Sequence, residues 1–108
     1  DKFPNSQRYR SFIKQLNSSI EDKEDWKRFE VNFKELHQDF FERLLKSYPS
    51  LTPKDLKLCA YLKMNLTTKE IAPLMGITIR GVEIHRYRLR KKLDMDSSEN
   101  LSNFLITF

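Results

Sequence analysis

The sequence has little that interrupts a helix and almost nothing that cross-links one: its 108 residues include two Gly, four Pro and a single Cys. One thiol cannot close a disulfide within the chain, so a secreted disulfide scaffold is excluded, and Cys59, set among apolar neighbours, reads as a reduced and buried side chain of an intracellular domain. No apolar run approaches the roughly 20 residues needed to cross a bilayer, and no signal-peptide pattern lies near the amino end. Because the sequence begins at Asp1 without an initiator Met, it is expected to be part of a longer chain.

Chemistry-bearing clusters are equally scarce. His37 and His85 are the only histidines, and with Cys59 they show none of the close spacings that zinc requires. No nucleophile, base and orienting group assemble into a catalytic set, and no glycine-rich nucleotide motif occurs. The expectation is therefore a protein that is not an enzyme, with no cofactor, no metal and no small-molecule substrate. His37, within ELHQDF, invites comparison with the phosphate-accepting histidine of sensor kinases. No proline follows at the kinase spacing, so a packed or surface histidine is the simpler reading, with phosphotransfer as a rival.

What the sequence does have is helical periodicity and a local excess of cations. Apolar residues recur three and four apart nearly throughout, which places the chain in the all-α class, and its length suits one domain. Twenty Lys and Arg oppose 15 Asp and Glu. The excess is not spread evenly: residues 1–48 carry net +1, whereas residues 78–93 alone carry six positive and one negative side chain, net +5. A concentrated basic patch favours a polyanionic partner.

Two helices are expected in the first 48 residues. The first carries Tyr9, Phe12, Ile13, Leu16 and Ile20 on one side; the second starts near the acidic run Glu21–Asp25 and continues to about Ser47, with Pro49 ending it. The stripe Trp26, Phe29, Phe33, Leu36, Phe40, Phe41 and Leu44 on the second helix is too broad and aromatic to be left in water. It is covered either by the rest of the same subunit or by a second copy.

Beyond Pro49 the helix-start signals are regular. Thr52 is an N-cap with Pro53 at the first helical position and Asp55 three residues on; Thr67 and Glu70 have the capping-box spacing; Leu51 with Leu56, and Leu66 with Ile71, are placed as hydrophobic staples. A short helix should run from about Thr68 to Met75, Gly76 should end it in a left-handed conformation, and Thr78 should cap a helix from Ile79 to about Leu93. Ser97 is the cap expected for a last helix containing Leu101, Phe104 and Leu105. Two helices joined by so short a glycine-containing turn match the helix-turn-helix unit, whose second helix enters the DNA major groove.

At about 100° per residue, Val82, His85, Leu89 and Leu93 of that helix face the core, and the opposite side presents Arg80, Ile84, Tyr87 and Lys91, edged by Glu83 and Arg88. A solvated face seldom carries an isoleucine and a tyrosine, whereas a groove-reading face uses such groups against the thymine methyl. Arg80, Glu83, Ile84 and Tyr87 are thus the candidate base readers. Arg88, Lys91 and Lys92 are candidate phosphate contacts, alternatively read with Arg90 as compensation of the helix dipole. Thr67, Thr68 and Lys69, at the start of the preceding helix, are further phosphate candidates or simple capping residues.

From Leu51 to Leu105 the chain resembles the LuxR-type (GerE-like) helix-turn-helix family. The resemblance is carried by LTPKDLKLCAYL, NLTTKEIAPLMGIT, GVEIHRYRLRKKL and SSENL, in the family's order and spacing. It implies a four-helix LuxR-like domain, which with the two amino-terminal helices expected from periodicity divides the chain into a helical coupling or dimerisation segment at 1–48 and a DNA-binding domain at 49–108. It further implies double-stranded DNA as partner, a homodimer, and base reading from Glu83, Ile84 and Tyr87. Departures from the pattern are Asn65 in place of Gly, Gly81 in place of Thr, Asn100 in place of an acidic residue, and Pro73, expected to distort its helix. LKLCAYLKMNLTTKEIAP with IRGVEIHRYRLRKKL is similar to the output domain of sensor-regulators that resemble fused two-component systems, with a β-propeller sensor, a triple-tyrosine-motif domain and a membrane span. That likeness implies a cytoplasmic domain coupled to an upstream sensor region of the same polypeptide, the full-length protein being anchored in the inner membrane. The alternative is a protein-interaction or dimerisation module that keeps the fold without reading DNA.

Overall fold

The computed structural model describes residues 23–108, so the helix expected around Tyr9 to Ile20 lies outside the described residues. Those described form six helices and no strand: α1 (Lys23–Leu36), α2 (Phe40–Ser47), α3 (Pro53–Lys63), α4 (Thr68–Met75), α5 (Ile79–Lys92) and α6 (Leu101–Thr107).

The long second helix expected up to Ser47 is in fact two. The chain leaves α1 after Leu36 and re-enters a helix at Phe40, with the Phe40 N–H donating to the His37 carbonyl at 3.2 Å and the Arg43 N–H to the Asp39 carbonyl at 2.8 Å. The aromatic rings explain the break. In a continuous helix Phe33 and Phe40 would lie about 10 Å apart along the axis, yet their ring centroids are 5.5 Å apart, and Phe41 comes within 5.3 Å of the same Phe33 ring. Turning the backbone at His37–Asp39 lets one ring touch both.

The stripe is covered from within the subunit. Phe29, Phe33, Phe40 and Leu44 are fully buried and belong to the same core as Leu58, Leu62, Leu89 and Leu105. The Tyr61 ring of α3 meets Phe29 at 5.1 Å and the edge of Trp26 at 5.8 Å, and Phe108 meets Phe40 edge-on at 6.0 Å. Leu36 stays partly in water.

Helix α3 is the hub. Leu58 through Leu62 are consecutively buried because α5 and α6 pack on it while α1 supplies the rings around Tyr61. Its start is fixed by a complete capping box: Thr52 Oγ1 accepts from the Asp55 N–H at 3.1 Å, and Asp55 Oδ2 accepts from the Thr52 N–H at 2.9 Å. After α3 the chain turns through Asn65 at φ 62°, a left-handed conformation that Asn tolerates.

The last helix starts later than expected. Ser97 does not cap it; Asn100 does, its side chain accepting from the Asn103 N–H at 2.9 Å, which brings Leu101 into the core on the first turn. Residues 94–100 instead form a turn held by Arg90, whose guanidinium donates to the carbonyls of Asp96 (2.7 Å) and Glu99 (2.8 Å). At the far end of α6, Lys63 donates to the carbonyls of Leu105 and Ile106 and Arg43 to that of Phe108. These cations satisfy carbonyls that a helix end leaves open.

Candidate nucleic-acid interface

Helices α4 and α5 pack on each other, joined by only Gly76, Ile77 and Thr78. Each boundary has a side-chain or backbone cause. Thr67 and Glu70 form a reciprocal capping box at 3.1 and 2.9 Å, which starts α4. Gly76 ends it at φ 68°, and the Ile77 N–H returns to the Ala72 carbonyl at 3.0 Å, the backbone closure typical of a left-handed cap. Thr78 Oγ1 then accepts from the Gly81 N–H at 2.9 Å and opens α5. Pro73 sits on the exposed side of α4, and the helix runs through it without interruption from Thr68 to Met75.

One side of α5 is anchored: Val82 and Leu89 have no exposed surface and Leu93 very little, while His85 is half-buried beside them. The other side is open. Arg80, Glu83, Ile84, Tyr87, Arg88 and Lys91 are all exposed. The apolar members are far from hidden, Ile84 at 40% and Tyr87 at 60%, and they are joined by Ile79 at 45%. Sequence reasoning passed over Ile79, because at about 100° per residue it lies about 60° from Val82 and about 140° from Ile84, toward the anchored side; its exposure comes with its place on the first turn. The Lys91 ammonium lies over the Tyr87 ring, 5.0 Å from the centroid.

The remaining cations divide into those that face outward and those engaged within the chain. Lys92, expected on phosphate, has its ammonium 2.6 Å from Oδ2 of the buried Asp55, tying the end of α5 to the cap of α3. A buried carboxylate has the stronger claim on that charge, since leaving it unpaired is costly. Burial by itself would raise the Asp55 carboxyl; the hydrogen bonds from Lys92 and Thr52 outweigh it, and the group lies below its usual value. Arg90 is likewise taken up by the 94–100 turn. Arg86 is half-buried, and burial, with Arg90 nearby, lowers its guanidinium against the opposing pull of Glu83.

On α4, Thr67 and Lys69 are exposed and Thr68 half-exposed at the amino end. The Thr67 hydroxyl is engaged in the capping box, so Thr67 offers an anion less than its sequence position implied. Elsewhere the chemistry is quiet. Burial, then Asp55, pushes the Cys59 thiol up to about 12, which leaves no thiolate at neutral pH. His37 is half-buried with its ring 4.9 Å from Phe33, and burial followed by Lys63 and Arg43 lowers it below its usual value. This is the setting of a packed histidine. Among the described residues no group of His, Cys, Asp and Glu is placed to hold a metal ion, and no helix is long and apolar enough to cross a membrane.

Residues 49–104, just over half of the chain, match the family GerE, bacterial regulatory proteins of the luxR family. Over 58 residues the chain is 34% identical to the tetrathionate response regulatory protein TtrR of Salmonella typhimurium, a match covering 54% of this chain and 28% of that protein. The chain therefore spans less than a third of that relative's length. No solved structure matches the chain.

Proposed function

The chain belongs to the luxR family of bacterial regulatory proteins, and on that premise we propose that it is the DNA-reading output domain of a transcriptional regulator, with α5 lying in the major groove of double-stranded DNA. The observation that carries this reading is the outward side of α5. There, Ile84 and Tyr87 stand in water among Arg80, Arg88 and Lys91, on a helix whose opposite side is anchored by Val82, Leu89 and Leu93. A face that served only solubility would not carry exposed isoleucine and tyrosine between its cations, whereas base edges offer both acceptors and methyl groups.

In this reading Arg80 donates two parallel hydrogen bonds to guanine, Glu83 accepts from a cytosine amino group, and Ile84 and Tyr87 make apolar contacts with bases. Arg88, Lys91, Lys69 and the free amides at Thr68 hold phosphates and set register without reading sequence. Lys92 acts from behind, by holding the end of α5 to Asp55. The function requires access to DNA, which places the domain in the cytoplasm, and it calls for no cofactor and no small-molecule substrate.

Residues 1–48 act as the coupling segment and 49–108 as the reader, the former joined to a sensor region of the same polypeptide of the kind that the subgroup likeness implies. The support is that the rings of Trp26 and Phe29 rest on Tyr61 of the reader's central helix, so displacement of α1 reaches α3 directly. A homodimer gives two copies of α5, which suits a two-fold symmetric site.

A gel-shift titration across salt tests the reading. Arg80→Ala should lose about 1–3 kcal/mol at a site selected from a random DNA pool. Lys91→Ala should weaken binding to all sequences and lower the salt slope by about one. Unchanged affinity in both variants at matched salt would favour a protein-interaction module that has lost DNA reading.

A further inference from the structure

Three large apolar side chains stand exposed on α5, at Ile79, Ile84 and Tyr87. The sequence alone singled out the second and third. Ile79 is the first residue of the helix, where an exposed β-branched side chain does nothing for helix formation. The cap beneath it is complete without it, since Thr78 Oγ1 accepts from the Gly81 N–H. Nor is Ile79 among the apolar residues packed against the core.

Its place relative to the other two is informative. Side chains on a helix lean toward its amino end, so Ile79 projects beyond the first turn, the end that meets base edges in helix-turn-helix proteins. By a rise of about 1.5 Å per residue, Ile79, Ile84 and Tyr87 lie at about 0, 7.5 and 12 Å along the axis, a span of three to four base pairs at about 3.4 Å each. Arg80 and Glu83 lie between them in the sequence. Ile84 and Tyr87 thus share the outward side with Arg80 and Glu83, while Ile79 stands exposed at its edge on the first turn.

Resting on the DNA-reading function above, we propose that Ile79 is a further specificity-determining residue, and that Ile79, Ile84 and Tyr87 together select sites by the C5-methyl groups of thymine in the major groove. The thymine methyl is the one apolar group that a base pair presents there, and it is absent from cytosine.

The test replaces thymine by deoxyuridine, one position at a time, in a duplex selected from a random pool, with binding measured for the 108-residue chain and for Ile79→Ala. The substitution removes a methyl and leaves every base-pair hydrogen bond and phosphate in place. Each read position should cost the unmodified chain about four-fold in affinity, the worth of one buried methyl. Ile79→Ala should bind the thymine duplex more weakly and be indifferent to deoxyuridine at one position that the unmodified chain senses. Specific binding that ignores every deoxyuridine overturns methyl selection while leaving DNA reading intact. Methyl sensitivity that survives unchanged in Ile79→Ala removes Ile79 from the set. Failure to bind any duplex with sequence preference overturns the function beneath the proposal instead.

Discussion

Two parts of this molecule are built from the same kinds of side chain and treat them in opposite ways. On α1 and α2 the rings of Phe29, Phe33 and Phe40 are wholly buried against one another and against Tyr61 and Phe108. On α5, Tyr87 and two isoleucines stand in water beside arginines and a lysine. The difference teaches that aromatic content alone identifies neither a core nor an interface. What separates the two is burial rather than company, since Lys57 and Lys63 lie over the rings of Trp26 and Phe40 as Lys91 lies over Tyr87: Phe29, Phe33 and Phe40 have no surface left to offer, whereas Tyr87 keeps 60% of its own.

Substitution should separate the two regions sharply. Phe33→Ala deletes the ring that touches Phe29, His37, Phe40 and Phe41 and should cost about 3–5 kcal/mol in urea unfolding, with the folded fraction still able to bind DNA. A midpoint that does not move would erase the contrast. Asp55→Asn comes next, at roughly 1–2 kcal/mol near neutral pH, because it removes the charge that Lys92 and the α3 cap are arranged around. Its pH dependence has a definite sign. The folded carboxyl lies below its usual value of 3.8, so its contribution is present above that value and is lost as pH falls through the lower folded one. The gap between the unmodified chain and Asp55→Asn should therefore close in acid, and a gap constant from pH 7 to pH 2 would contradict the assigned pair. Smallest of all is the stability effect of Arg80→Ala, within about 0.5 kcal/mol, since the variant that loses DNA affinity removes an exposed side chain.

Much of this organisation could be read from the residues. The boundaries of α3, α4 and α5 are legible because each is set locally, by Thr52 with Asp55, Thr67 with Glu70, Gly76, and Thr78. Local chemistry did not reveal the break at His37–Asp39, because Phe33, Leu36, Phe40 and Leu44 keep a helical spacing across it; only the clustering of Phe33 with both Phe40 and Phe41 explains the turn. Ser97 and Asn100 are equally good caps on paper. The choice between them is made by Arg90, which holds residues 96 and 99 in a turn, and by the burial of Leu101. The outward side of α5 followed from helical arithmetic, except at Ile79, whose position on the first turn hid its exposure. Lys92 was legible as a cation and not as a partner of Asp55, a pairing that spans 37 residues.

The most direct measurement is backbone amide NMR of the chain titrated with a duplex selected from a random pool. Perturbations should be largest from Thr78 to Lys92 and at the start of α4, and smallest at Phe29, Phe33 and Leu44. Perturbations centred on α1 and α2, with α5 left unmoved, would contradict the account.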